Sequence, residues 1–228
     1  LQSTSTFTIC TAHQPLIFTG HVYFIYKIVQ TILLAKHAKS LFPKKHFVPV
    51  FYIGSEDHDI DEIGHLVYNG KTYSWQPNQK GACGRMSTST LVRIATEIIA
   101  SLDMQKEDEK WMIELLQESY NGTNTLAEAT RIFVHALWKE EGIVIIDGDD
   151  KALKQLFVSV MQHELLYAET ESVVMESKQQ LTNRYKVDAT PRAINLFYLK
   201  DEIRERIERE GEVWKVMNTT IQFTKEEL

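Results

Sequence analysis

The stretch Phe47-Val48-Pro49-Val50-Phe51-Tyr52-Ile53-Gly54 is apolar without interruption, and it runs straight into Ser55-Glu56-Asp57-His58-Asp59-Ile60-Asp61-Glu62, where six of eight side chains ionise. A strand apolar at both odd and even positions has no face left for water, which is the condition of a strand inside a parallel sheet covered on both sides. Pro49 lacks an N–H and belongs near the first residues of that strand. Two further segments have the same form. Residues 7–11 alternate aromatic, β-branched and small side chains and end at Ala12-His13-Gln14-Pro15; residues 142–147 end at Gly148-Asp149-Asp150. Between the first two strands, Val22, Ile25, Tyr26, Val29, Ile32 and Leu33 recur at three- and four-residue steps, which predicts a helix over residues 21–40 with that face in the core. Strand, helix, strand, insertion, helix, strand, helix is the order of an α/β fold with a parallel sheet.

The insertion opens with a hairpin, residues 66–68 and 72–75, turning at Asn69-Gly70. A glycine-bearing loop, Gly81-Ala82-Cys83-Gly84-Arg85, precedes helices over 91–102 and 111–120, joined by the charged linker 106–110. Asn124 caps a third helix that stops at Gly142. After the third strand, Leu153, Leu156, Phe157, Val160 and Met161 mark one helix face, and residues 172–185 form another helix. Beyond Pro191 the pattern favours an antiparallel meander, against the rival of a solvated Glu/Arg helix over 201–209. Thr224 and Glu227 are spaced as a capping box, which suggests a helix starting where the sequence stops and hence a fragment of a longer chain. The division expected is a core over residues 1–190, with a helical insertion near 86–123, and an antiparallel segment over 191–228.

Composition narrows the class. With 228 residues, 43% hydrophobic, and a formal net charge of −6, disordered, collagenous and disulfide-framework proteins are excluded. No apolar run reaches the roughly 20 residues of a membrane span. Residues 1–6 have neither a basic nor an apolar leader pattern, so no export signal is expected from them. Cys10 and Cys83 are the only cysteines and read as reduced thiols in a cytoplasmic protein, Cys10 packed in its strand and Cys83 partly exposed. The acidic balance gives no case for nucleic acid. Trp75, Trp111, Trp138 and Trp214 read as core rather than as ligand platforms.

In open parallel sheets, ligands bind beyond the carboxyl ends of the strands. The three polar clusters, around His13-Gln14, Glu56-Asp57-His58-Asp59 and Asp147-Gly148-Asp149, therefore converge on one edge if the strands are parallel. His13 stands before a helix N-terminus, where N–H groups and the helix dipole favour an anion, and it can donate to developing negative charge. Three readings of the acidic loop stay open: recognition of an ammonium or ribose hydroxyl by Asp57 or Asp59 with His58 as acid or base, a divalent-metal site including His65, and a solvated loop. Arg85 is a candidate anion clamp, with a surface arginine as the rival reading. Neither cysteine has a motif of a nucleophile.

Thr11-Ala12-His13-Gln14-Pro15-Leu16-Ile17-Phe18-Thr19-Gly20, followed by Tyr23-Phe24-Ile25-Tyr26-Lys27, resembles the T-G-H-Q-P-x-x-F-x-G-P-x-Y-x-x-Y-K stretch of the bacillithiol biosynthesis cysteine-adding enzymes, the BshC family. Residues 47–59 resemble that family's V-P-V-F-W-I-A-x-E-D-H-D signature. Residues 81–86 and 125–129, then Pro191 with Asn195-Leu196-Phe197-Tyr198-Leu199, follow in family order. The resemblance implies a Rossmann-like core akin to class I synthetases and nucleotidyltransferases, with helical and small antiparallel β insertions and a later dimerising region. It implies a ligase that joins L-cysteine to glucosaminyl-malate through a nucleotide-activated carboxylate, with ATP as the expected nucleotide. On that reading His13, Asp57 and His58 are catalytic, and Gln14, Gly20, Glu56, Asp59, Arg85, Asp149 and Asn195 bind substrates or nucleotide. Ala12 departs from the usual glycine, and His21 from the usual proline. The alternatives are another synthetase-like or nucleotidyltransferase enzyme of the same fold, and an inactive binding module.

Overall fold

The computed structural model describes residues 3–103 and 105–228. Strand β1 (Thr6–His13) leads through a tight turn into helix α1 (Val22–Leu41), which returns the chain to β2 (His46–Ile53). The strands are parallel, from Thr6 opposite His46 to His13 opposite Ile53, as a crossover helix requires. An excursion follows through α2 (Ile60–Ile63), the hairpin β3 (His65–Tyr68) and β4 (Lys71–Ser74), and the helices α3 (Val92–Ile99), α4 (Glu107–Ser119) and α5 (Leu126–Trp138). The chain re-enters the sheet as β5 (Val144–Asp147), parallel to β2 with Asp147 opposite Ile53. The order β1-β2-β5 makes the uninterrupted apolar run the central strand. Because β5 pairs only with residues 50–53 of β2, Pro49 falls just before the stretch that has neighbours on both sides.

The chain divides into two compact units, Leu1–Asp150 and Lys151–Leu228. In the first, Phe51 and Ile53 share a core with Phe24, Ile28 and Ile32 of α1 and with the excursion helices. The face of α1 differs from the one its periodicity indicates. Phe24, Ile28, Thr31, Ile32 and Ala35 are buried, whereas Val22, Tyr26 and Leu33 are 65%, 67% and 53% exposed. Apolar residues surround most of this helix, so three- and four-residue spacings fit two faces, and only packing against the sheet chooses between them.

Local signals account for most boundaries. Asn69 and Gly70, both with positive φ, turn the β3–β4 hairpin. The linker 106–110 proves to be largely the first turn of α4, where Glu107, Asp108 and Glu109 meet the positive end of the helix dipole. Helix α5 is capped one residue later than Asn124: Thr125 and Glu128 form a reciprocal capping box, while the Asn124 carbonyl accepts from Thr88.

The second unit holds α6 (Lys151–Gln155), α7 (Val158–Tyr167) and α8 (Thr170–Thr182), then the antiparallel sheet β6 (Phe197–Lys200), β7 (Ile203–Glu210), β8 (Val213–Val216) and β9 (Gln222–Phe223). The continuous helix expected across residues 153–161 breaks at Leu156 and Phe157, and four of the five side chains of its apolar face are exposed, Leu156 at 78%. The meander reading holds for the Glu/Arg segment, which is strand β7 and turns at Gly211, φ 63°. Ile194, Ile207 and Trp214 form this unit's small core, with the Trp214 indole N–H donating to the Leu165 carbonyl at 2.8 Å. The Thr224–Glu227 capping box closes around a single 3-10 turn.

Candidate active site at the strand ends

His13, Ile53 and Asp147 lie on one register line across the sheet. With neighbouring strands about 4.8 Å apart, the polar segments that follow them begin side by side. The backbone stitches these ends together, Gly54 N–H donating to the His13 carbonyl at 2.7 Å and Gly148 N–H to the Ile53 carbonyl at 3.0 Å. Side chains complete the lattice. The Gln14 amide donates to Asp57 Oδ2 at 3.1 Å and to Glu62 Oε2 at 2.9 Å. The buried Ser55 hydroxyl donates to Asp147 Oδ1, and Asp149 N–H is shared between Ser55 Oγ at 3.1 Å and Asp147 Oδ1 at 3.0 Å. The three clusters that the sequence places after separate strands therefore converge.

The glycine-bearing loop packs directly on this lattice. Cys83 N–H donates to the Asp57 carbonyl at 2.6 Å and Gly84 N–H to the Ser55 carbonyl at 2.8 Å. A Cβ at Gly84 would stand 2.3 Å from Ser55 Cβ, so glycine is what permits the approach. Arg85 grips Asp149 with two bonds, Nε to Oδ2 and Nη2 to Oδ1 at 2.9 Å. The expected anion clamp is thus joined to a carboxylate of the protein itself. The cysteines are the reverse of expectation: Cys83 is buried within this loop and Cys10 is exposed on β1.

The His13 ring is half-buried, edge-on to Tyr23 and Phe24 at 5.4 and 5.6 Å between ring centroids. Burial pulls its pKa below the ordinary 6.5; the Gln14 carbonyl opposes that shift and Lys27 adds to it. His13 is therefore neutral at pH 7. Its Nδ1 faces the Gln14 carbonyl at 3.3 Å, and a carbonyl can only accept, so Nδ1 carries the proton and Nε2 presents a lone pair. This geometry suits a proton acceptor better than the anion donor that His13's place before a helix suggested.

The turn into α1 is strained. Phe18, Thr19 and Gly20 have φ of 51°, 64° and 48°, which non-glycine residues rarely adopt. Tyr120 holds it, its buried hydroxyl accepting from Phe18 N–H at 2.7 Å, and a Cβ at Gly20 would lie 2.8 Å from Leu16 Cβ. The first turn of α1 then opens at His21 with no side-chain cap. The His21 ring stands edge-on to His65 at 5.3 Å.

The remaining candidates divide. Glu56 and His58 sit in the same loop as Asp57, Glu56 partly buried and His58 exposed, with His58 N–H on Asp57 Oδ1 at 2.7 Å and its ring Nδ1 3.5 Å from that oxygen. Asp59 caps α2 by accepting from Glu62 N–H at 3.1 Å, a structural role where a ligand contact was expected. Asn195 belongs to the second unit, bonded to Glu164 and to the Arg192 carbonyl. No grouping of three or more His, Cys, Asp or Glu side chains fit to hold a metal occurs among the described residues. No described helix is long and apolar enough to cross a membrane. Ser55 and Lys27 carry no individual signal of a role in the sequence. Ser55 lies two residues beyond Ile53, which faces Asp147, and only that register brings its hydroxyl to the Asp147 carboxylate.

The family model described as "Bacillithiol biosynthesis BshC, N-terminal Rossmann-like domain" matches residues 1–228. The chain belongs to the BshC family. Among its relatives, the protein named "Putative cysteine ligase BshC" from Flavobacterium psychrophilum is 42% identical over 228 residues, covering all of this chain and 43% of the relative. Proteins of the same name from Cytophaga hutchinsonii and Flavobacterium johnsoniae are each 39% identical, covering 100% and 98% of this chain and 42% of their own length. This BshC chain thus spans about two fifths of the curated relatives it matches. Its α/β architecture with a central parallel sheet is the Rossmann-like fold that the family description names.

Proposed function

We propose that the strand-end lattice is the reactive edge of a cytoplasmic cysteine ligase that joins the carboxyl group of L-cysteine to the amine of glucosaminyl-malate, giving bacillithiol. The supporting observation is the placement of His13, whose Nδ1 faces the Gln14 carbonyl and leaves Nε2 for a base, next in the chain to the Gln14 amide that joins the carboxylates Asp57 and Glu62. Amide formation needs an amine stripped of its proton and a carboxylate made into an electrophile. His13 Nε2 accepts the proton that the attacking nitrogen loses, while Asp57, with His58 beside it, attracts that nitrogen in its ammonium form before reaction. The nucleotide, ATP in this proposal, supplies a leaving group on a carboxylate oxygen. The residues present suit its phosphates: the uncapped first turn of α1 offers backbone N–H groups and the positive end of a helix dipole, and the tight turn at Gly20 leads the backbone into that end.

The test is product formation from L-cysteine, glucosaminyl-malate and ATP by the natural full-length polypeptide, read by mass spectrometry. His13→Ala is expected to lower kcat by about 100-fold or more, the range of a lost general base. Asp57→Ala is expected to raise KM for the amine substrate. Near-normal turnover by His13→Ala, with the fold intact by circular dichroism, would sink the assignment.

A further inference from the structure

We propose that Lys27 is the anion-binding cation of the strand-end site, taking the phosphate or carboxylate oxygens for which Arg85 looked the natural clamp. The inference rests on the ligase reading and adds a binding residue to it. An acid-dense site that handles anions needs a positive group, and Arg85 already holds Asp149 through Nε and Nη2 in a two-bond grip. Lys27, half-buried on the second turn of α1, places Nζ 2.6 Å from the Ala12 carbonyl, one residue before His13. The same ammonium lies 5.2 Å from the centroid of the Tyr23 ring, whose edge meets His13. The charge is therefore fixed at the carboxyl end of β1, on the edge strand and beside the base.

An ammonium has three donors, and the Ala12 carbonyl takes one. Among the described residues Lys27 makes no ion pair with a carboxylate, whereas Lys36 on the same helix pairs with Glu141, and Lys71 and Lys106 pair with Glu97 and Glu109. In a chain of net charge −6, an ammonium held by one carbonyl and an aromatic face retains donors for an anionic oxygen. A purely structural role is the rival account, since lysines also blunt exposed strand edges.

The two accounts separate in calorimetric titrations of the natural full-length polypeptide with ATP, inorganic triphosphate and L-cysteine in turn, alongside thermal melts. Lys27→Met is expected to weaken binding of the anion it serves by about tenfold or more, the worth of one charge-assisted hydrogen bond. Lys27→Arg should stay within about threefold, because it keeps a charged donor, and Lys36→Met should match the wild type. Loss confined to ATP and triphosphate identifies a phosphate; loss confined to L-cysteine identifies its carboxylate. Lys27→Met binding every probe like the wild type, whether or not it melts earlier, overturns the inference and leaves the ligase reading standing. A wild type that binds none of the probes overturns both.

Discussion

His13 shows how burial decides chemistry for one side chain. The ring sits among Tyr23, Phe24 and the Gln14 carbonyl, and its folded pKa lies below the ordinary 6.5 because desolvation penalises the imidazolium. The sign of the linkage follows. The unfolded chain binds a proton near pH 6.5 that the folded chain still refuses, so stability is full above that value and falls as pH drops through the lowered folded pKa. Urea midpoints measured from neutral to mildly acidic pH should fall more steeply for the wild type than for His13→Gln, whose side chain does not titrate there. Parallel curves would mean that His13 is protonated as easily folded as unfolded, and the base assignment would lose its footing. That His13 would stand at the carboxyl-end edge of the sheet was legible from its position between a strand and a helix. Its polarity as acceptor was not, because it depends on which carbonyl faces Nδ1, and that is set by the loop around Gln14.

Among elements, β2 and α1 were legible to different degrees for one physical reason. An uninterrupted apolar strand reads as buried on both sides, and β2 is the central strand, with Val50, Phe51 and Ile53 buried while Tyr52 stays 38% exposed. An almost uniformly apolar helix has two candidate faces, and α1 turns Phe24 and Ile28 to the sheet while Tyr26 and Leu33 stay exposed. The lattice of Ser55, Asp147 and Asp149 was half legible: the clusters could be placed at strand ends, but the hydroxyl that joins them needs the register of β2 and β5. The face assignment has a direct stability test. Ile28→Ala should cost about 2–5 kcal/mol, the range for a large aliphatic side chain removed from a packed core. Leu33→Ala should stay within about 0.5 kcal/mol, as surface changes do. Chemical denaturation of the two variants decides the matter, and equal losses would return the buried face to the one that spacing alone suggests.

Across the whole molecule, apolar burial is unevenly shared. The first unit closes a continuous core from α1 through Phe51 and Ile53 to Leu126 and Phe133, whereas among the described residues the second buries little beyond Ile194, Ile207, Trp214 and Val216, and none of α6, α7 and α8 contains a buried residue. Local opening is cheapest where few apolar contacts are lost and backbone bonds face water. Smaller units also bury a smaller share of their surface. The two units should therefore differ in how readily they open, although both are regular in secondary structure. Native-state hydrogen exchange gives the comparison residue by residue. Amides of Val50 to Ile53, in the only strand of the parallel sheet with partners on both sides, should exchange slowest in the chain. Those shared by β7 and β8 should exchange faster despite their regular antiparallel ladder. Equal protection in the two sheets would show that Trp214 and its few neighbours stabilise the second unit far beyond their buried area, and that the strand-end site is not carried by the more rigid half of the molecule.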